Sequence, residues 1–167
     1  MNKLFVDDLV ERLETATCTM IKVCDQTGVS LQLDSQESHD LFPMISYEYT
    51  SDSQFQVEPQ ESQFLNEIFH KGTWLIGSDD DTINFIINLQ SNGQSLFIDV
   101  IEVNKDMRGD GLGGTIVTVI ESIAEQYYSK ISISPFDTDA MNFWKHMGYS
   151  EDNNGNFVRY LNEEGDN

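Results

Sequence analysis

The chain has 167 residues, 39% of them apolar and 11% aromatic, which suffices for one domain with its own core and is short for two. Its 29 acidic residues against 9 basic ones give a formal charge of −20; such a polyanion repels nucleic acid and anionic membranes and attracts cations. No apolar run approaches the roughly 20 residues that span a bilayer, Cys18 and Cys24 have neither zinc-like spacing nor the makings of a disulfide framework, and Asp7 and Asp8 interrupt the amino terminus before a secretory apolar stretch forms. A reducing cytoplasm is the simplest setting for such a composition; no metal is expected, and the chain is expected to be a monomer or homodimer.

Residues 4–15 read as an acidic amphipathic helix, with Phe5, Leu9 and Leu13 on one side and Asp7, Asp8, Glu11 and Glu14 around the rest. Residues 17–23 are strand-like, 25–28 form a turn, and 29–33 offer a partner strand. A polar segment, 34–59, contains an apolar and aromatic stretch at 41–49. Residues 59–69 predict a short helix that buries Phe64, Leu65, Ile68 and Phe69 and ends at Gly72. A strand at 73–77 leads to a turn at 78–81, whose aspartates lack the later ligands of a calcium loop. Strands at 82–89 and 96–103 flank Asn92-Gly93, a hairpin signal because this pair tolerates positive φ.

Beyond a loop, Leu112, Ile116, Val119, Ile120, Ile123 and Tyr127 recur at helical spacing. A strand at 130–134 and a helix at 138–147 follow, the helix capped by Asp137 or Thr138 and stopped by Gly148. Residues 153–156 turn the chain into a last strand, 157–161, and an acidic tail, 162–167, closes it. There is no internal repeat and no interdomain linker. The order predicts a single α+β domain over 1–167, a mixed and mostly antiparallel sheet flanked by helices.

The loop at the strand-to-helix junction, Arg108-Gly109-Asp110-Gly111-Leu112-Gly113-Gly114, is the chain's strongest chemical signal. Glycines let backbone N–H groups close on an anion, and the positive end of the following helix favours negative charge there. The P-loop pattern fails because no Lys-Ser or Lys-Thr follows the last glycine. Gly109, Gly111 and Gly114 satisfy G-x-G-x-x-G, but a dinucleotide loop leaves its strand at once and opens several βαβ units. Here residues 104–108 intervene and only about fifty remain.

Arg108-x-x-Gly111-x-Gly113 instead resembles the pyrophosphate loop of the GNAT family, the acyl-CoA-dependent N-acetyltransferases: Gln or Arg, two residues, Gly, one residue, then Gly or Ala. Residues 137–149 are similar to the family's second signature, Asn, two residues, Ala, two residues, an apolar residue and Tyr, ending in Gly-Phe. Ala140, Phe143, Gly148 and Tyr149 match; Asp137 stands where Asn is usual and Trp144 where Tyr is usual. The resemblance runs over 83–161, with 1–70 divergent.

It implies acetyl-CoA as acyl donor and an amine acceptor, a cationic one in keeping with the acidic chain. Pantetheine would lie between strands 96–103 and 130–134, paired with the backbone around Ile101, Glu102 and Val103. Amides from Arg108 to Gly114 would hold the pyrophosphate, where a β-carbon at Gly111 or Gly113 would collide with phosphate. Asp137, Ala140 and Trp144 would flank the cofactor, and residues 41–49 would shape the acceptor pocket or fill the core.

An amine nucleophile must first lose a proton. Asp99 occupies the strand position where related enzymes often carry an acidic residue, as a base or as a carboxylate that only orients substrate. Alternation turns Glu102 to the other face unless a bulge intervenes. Trp144 has no hydroxyl to protonate the leaving thiolate, so Tyr149, Tyr127, Tyr128 or water takes that role, or the thiolate leaves unaided. His39, His70 and His146 form no triad pattern. The alternative is a catalytically weak protein of GNAT shape whose acidic surface engages a cationic partner.

Overall fold

The structure, a computed structural model, describes residues 1–24, 72–80, 82–135 and 137–161. The expected strand at 29–33, the segment 34–59, the helix at 59–69, the tail 162–167, and His39 and His70 lie outside the described residues.

Asn2 caps α1 (Lys3–Thr17), its Oδ1 accepting from the Leu4 amide at 3.0 Å. Phe5, Val6, Leu9, Val10 and Leu13 form the buried stripe. The helix passes the expected end at 15 and stops where Cys18 takes a left-handed φ of 55°. The Thr17 hydroxyl donates to the Leu13 carbonyl at 2.8 Å and pairs with the Thr19 hydroxyl at 2.6 Å. Both threonines therefore finish the helix, and β1 begins later than the expected 17, at Met20–Cys24.

The remaining strands are β2 (Thr73–Asp79), β3 (Thr82–Asn92), β4 (Ser95–Val103), β5 (Lys130–Ile133), β6 (Ser150–Glu151) and β7 (Phe157–Tyr160). Among the described residues they form a seven-stranded sheet of order β1-β2-β3-β4-β5-β7-β6. Every pairing is antiparallel except that of β4 with β5. The crossover between those two carries α2 (Leu112–Ala124); α3 (Thr138–His146) follows β5. The α+β architecture matches the expectation.

The β3–β4 hairpin differs from it in detail. Asn92 pairs with Ser95, so the turn residues are Gly93 and Gln94. Only Gly93 has positive φ, 57°, as a turn with glycine at its first central position requires. Asn92 stays in the strand.

α1 and α2 cover one face of the sheet, meeting Ile21, Val23, Leu75, Phe85, Ile87 and Leu89 in a continuous core. From α2, Ile116, Val117, Ile120, Ile123 and Ala124 are buried; each large aliphatic side chain contributes about 1.5–3 kcal/mol by leaving water. α2 ends before Tyr127, which the sequence periodicity had included. Phe5 meets Tyr127 and Tyr128 edge-on at 5.7 and 5.1 Å, and the Tyr127 hydroxyl donates to Asp8 at 2.6 Å.

Candidate functional site

β4 has one residue more than its partner strand. Leu89 pairs with Ile98 and Asn88 with Val100, which leaves Asp99 as the extra residue of a bulge. Before it, Leu96 and Ile98 point into the helix-covered core; after it, Ile101 and Val103 do. The apolar phase thus slips from even to odd numbers. Strict alternation is corrected accordingly: Val100 and Glu102, opposite Asn88 and Ile86, share the other face with the bulge residue. Asp99 is exposed and accepts a hydrogen bond from Gln90 Nε2.

The same residue marks where the sheet opens. β4 pairs with β5 from Ser95 to Ile98, against Lys130 to Ile133, and no further. Ile101, Glu102 and Val103 therefore lie on the part of β4 that has left β5, with β3 still paired on the other side. A strand edge released in this way offers unpaired backbone groups to an extended ligand.

Asn104 anchors the loop that follows. It is 3% exposed, its side-chain amide donates to the Ile83 carbonyl at 3.0 Å, and its Oδ1 accepts from the Asp106 amide at 3.0 Å. Sequence reading passed over it; an asparagine closing a β-branched run is the signal that was there. A 3₁₀ turn at Lys105–Met107 leads to Arg108, which donates from Nε to the Val103 carbonyl at 2.8 Å and pairs with Glu102. Arg108 is turned back along its own strand and its charge is met by Glu102.

Gly109 and Gly111 have φ of 95° and 83°, and a β-carbon on either meets nothing within 4 Å. Their glycine requirement is conformational. Gly111 is the N-cap of α2, so no side chain caps the helix, and its first turn carries no acid. The leading N–H groups from Leu112 onward thus receive no side-chain cap, the arrangement that suits a helix start to an anion. Gly113 and Gly114 lie inside α2, where a β-carbon would stand 3.6 Å from the Phe143 ring and 3.8 Å from Met147 Sδ. Those are ordinary contacts, so within the protein itself Gly113 tolerates a methyl group.

α3 supplies the wall beside this helix start. Asp137 is its cap, accepting from the Ala140 amide at 2.8 Å; Ala140 and Phe143 are half-buried. Trp144 is 2% exposed, held edge-on between Phe143 at 5.1 Å and Tyr149 at 5.0 Å. The expectation that its indole borders an open pocket is corrected by this packing: helical spacing turns 144 into the core, and Phe143, one position earlier, is the aromatic side chain beside Gly113.

The tyrosines weighed as proton donors are engaged elsewhere or buried. Tyr127 donates to Asp8, which raises its pKa, and Tyr128 is buried, donating to Met1 Sδ at 3.6 Å. Tyr149 is 3% exposed; burial first, then the negative charge of Glu121, raises its pKa further. Its hydroxyl makes no hydrogen bond of standard geometry.

Glu121, 8% exposed on α2, pairs with Arg159 at 3.3 Å. Burial lifts its pKa above the ordinary 4.5, outweighing the lowering by Tyr149 and Arg159. The folded chain therefore holds this proton more readily than the unfolded one, and the associated stability is complete below pH 4.5 and lost as pH rises through the folded pKa. Urea unfolding of wild type and Glu121→Gln across that range is expected to show the wild type losing ground as pH rises. A difference that is flat or grows with pH would mean the carboxyl is not desolvated.

Among the described residues no group of three or more His, Cys, Asp or Glu side chains is placed to hold a metal ion, and no helix is long and apolar enough to cross a membrane.

An open sheet edge that runs into a glycine-started helix marks an α+β protein whose mixed sheet splays between β4 and β5. A family model for the GNAT acetyltransferases matches residues 38–149, more than half of the chain, and the chain belongs to that family. Tetrahymena GCN5 is similar in structure at 8% identity and a TM-score of 0.63, over 84% of this chain and 95% of its own. The GNAT N-acetyltransferase YhbS from Escherichia coli, in complex with CoA, is similar at 11% identity and a TM-score of 0.55, over 86% of this chain and 81% of its own. A GNAT acetyltransferase from Elizabethkingia anophelis with acetyl-CoA bound shares 17% identity at a TM-score of 0.47, over 55% of this chain; the chain spans 62% of that protein's length. At these identities the likeness is one of fold. No curated protein matches the chain.

Proposed function

We propose that this chain is an N-acetyltransferase, one GNAT-like domain that moves an acetyl group from acetyl-CoA to a primary amine of a small molecule or protein. The observation that carries the reading is the coincidence of three features: β4 parts from β5 at Ile98, the bulge sits at Asp99, and the strand then runs into a helix start with glycine at its cap. The cradle fits the cofactor because the anion-facing turn has neither a capping side chain nor an acid. Backbone groups of Ile101, Glu102 and Val103 would pair with the pantetheine amides, and the amides at the start of α2 would hold the pyrophosphate. When bound, acetyl-CoA supplies the acetyl group as a thioester.

Asp99 is the base in this reading. It is exposed beside the opening, oriented by Gln90, and able to take the proton from an acceptor ammonium directly or through water. With Tyr127, Tyr128 and Tyr149 engaged or buried, the proton for the departing sulfur comes from water. A cationic acceptor suits a chain of charge −20. The same acidity, with the composition of the chain, supports a cytoplasmic setting apart from nucleic acid and membrane.

The test is a screen of amines for CoA release with acetyl-CoA as donor. Under conditions where chemistry limits the rate, Asp99→Asn is expected to slow transfer by roughly 10²-fold and to flatten its rise with pH; an unchanged rate and pH profile removes Asp99 from the role. The lack of a tyrosine hydroxyl at 144 favours a second reading, a binding protein of weak activity whose acidic surface holds a cationic partner. Tight CoA binding without release for any amine would select it.

A further inference from the structure

We infer that Arg159 is a positioning residue for the cofactor cradle, fastening α2 to the end of α3 so that the helix start at Gly111 keeps its spacing from the wall beside it. The inference rests on the reading of that helix start as the acyl-CoA site. Arg159 lies on β7, beyond β5 from the opening, and its hydrogen bonds go to α2 and the end of α3 rather than to the loop. It acts through two acceptors. Nη1 donates to the Met147 carbonyl, at the C-cap of α3, at 2.9 Å, and to Glu121 on α2 at 3.3 Å. The guanidinium also lies over the Tyr149 ring at 6.0 Å.

Met147 makes the connection specific. Its carbonyl is held by Arg159, while its sulfur lies 3.8 Å from where a β-carbon of Gly114 would stand. One turn earlier on α3, Phe143 stands 3.6 Å from the same point on Gly113. Those contacts with the first turn of α2 are dispersive and have no preferred direction. A planar guanidinium that meets a carbonyl and a carboxylate does fix direction, because its donors leave in set directions from one rigid group. Gly148, at φ 87°, brings the chain within reach, a β-carbon there lying 3.5 Å from Nη1.

The two bonds are unequal. The Glu121 contact is long, and the Arg159 side chain is 40% exposed, so screening weakens it; the shorter bond to the Met147 carbonyl dominates. Removing Arg159 frees the end of α3 to shift over the Trp144 core. Phe143 and Met147 then move against Gly113 and Gly114, and the anion-facing amides lose their fixed geometry.

The test uses the full chain. Arg159→Met is expected to fold, to weaken CoA binding about tenfold by calorimetry, the cost of re-ordering a loosened helix start on binding, and to speed amide exchange at residues 112–115 and 147–149 in the absence of CoA. Arg159→Lys is expected to recover part of the affinity, and Glu121→Gln to change it by less than about threefold. If Arg159→Met does not fold, Arg159→Gln takes its place with the same expectations. A variant that only melts earlier, with CoA affinity and exchange at 112–115 unchanged well below its melting temperature, overturns the inference and leaves Arg159 a stability residue. If the wild type binds no CoA, the cofactor reading fails, and the exchange measurement alone still decides whether Arg159 holds the start of α2.

Discussion

Replacing Gly111 with aspartate is expected to remove acetyl-CoA binding, with calorimetric affinity falling by on the order of 10²- to 10⁴-fold. Two effects add. Gly111 has a φ of 83°, which costs a residue with a β-carbon about 1–2 kcal/mol. A carboxylate at the cap of α2 would also face the position proposed for the pyrophosphate, and like charges about 4 Å apart cost between about 1 kcal/mol in water and about 4 kcal/mol near a protein surface. Gly111→Ala isolates the first effect. Gly113→Ala is the control, because its methyl group would make only ordinary contacts, with the Phe143 ring at 3.6 Å and Val103 Cγ2 at 3.8 Å, and any loss there measures the approach of phosphate rather than the fold. Wild-type affinity in Gly111→Asp would put the cofactor somewhere else.

Trp144→Ala is expected to destabilise the chain by about 3–5 kcal/mol in urea unfolding, the range for emptying a buried aromatic position. With the indole 2% exposed between Phe143 and Tyr149, the neighbours have little room to close the space. A domain of ordinary stability has about 5–15 kcal/mol to lose, so function is better read in Trp144→Phe, which keeps a ring in the core and is expected to retain most of any transfer activity. A loss under about 1 kcal/mol in the alanine variant would show that the indole is not a core element. A folded phenylalanine variant that binds acetyl-CoA normally but transfers nothing would give the indole a chemical part.

Much of this was legible in the sequence, because the strands, α2 and α3 announce themselves through local patterns. The junction of strand, glycine loop and helix around Gly111 needs only the glycines and the 3–4 spacing from Leu112, and both are local properties. The cap at Asp137 and the stop at Gly148 were equally legible. What escaped depends on partners far along the chain. The Arg159 link joins β7, α2 and α3, and no window on the sequence brings those residues together. The end of α1 moved because Cys18 adopts a left-handed φ that its side chain does not advertise. The place of Trp144 was misjudged for a different reason: a signature aligns positions, but which side of a short helix is buried depends on what packs against it.

Trp144 and the loop can be probed by exchanging side chains, but Asp99 has a second property that no exchange reaches. As the supernumerary residue of β4 it sets the parity of everything between itself and the loop. Deleting it would leave a regular strand in which Ile98, Ile101 and Val103 still face the helices, whereas drawing Asp99 into the ladder opposite Asn88 would turn Ile101 and Val103 away and bring Val100 and Glu102 inward. A homologue without the additional residue has to be aligned with a one-position gap here, or each residue from 100 to 103 will be compared with one from the wrong side of the sheet.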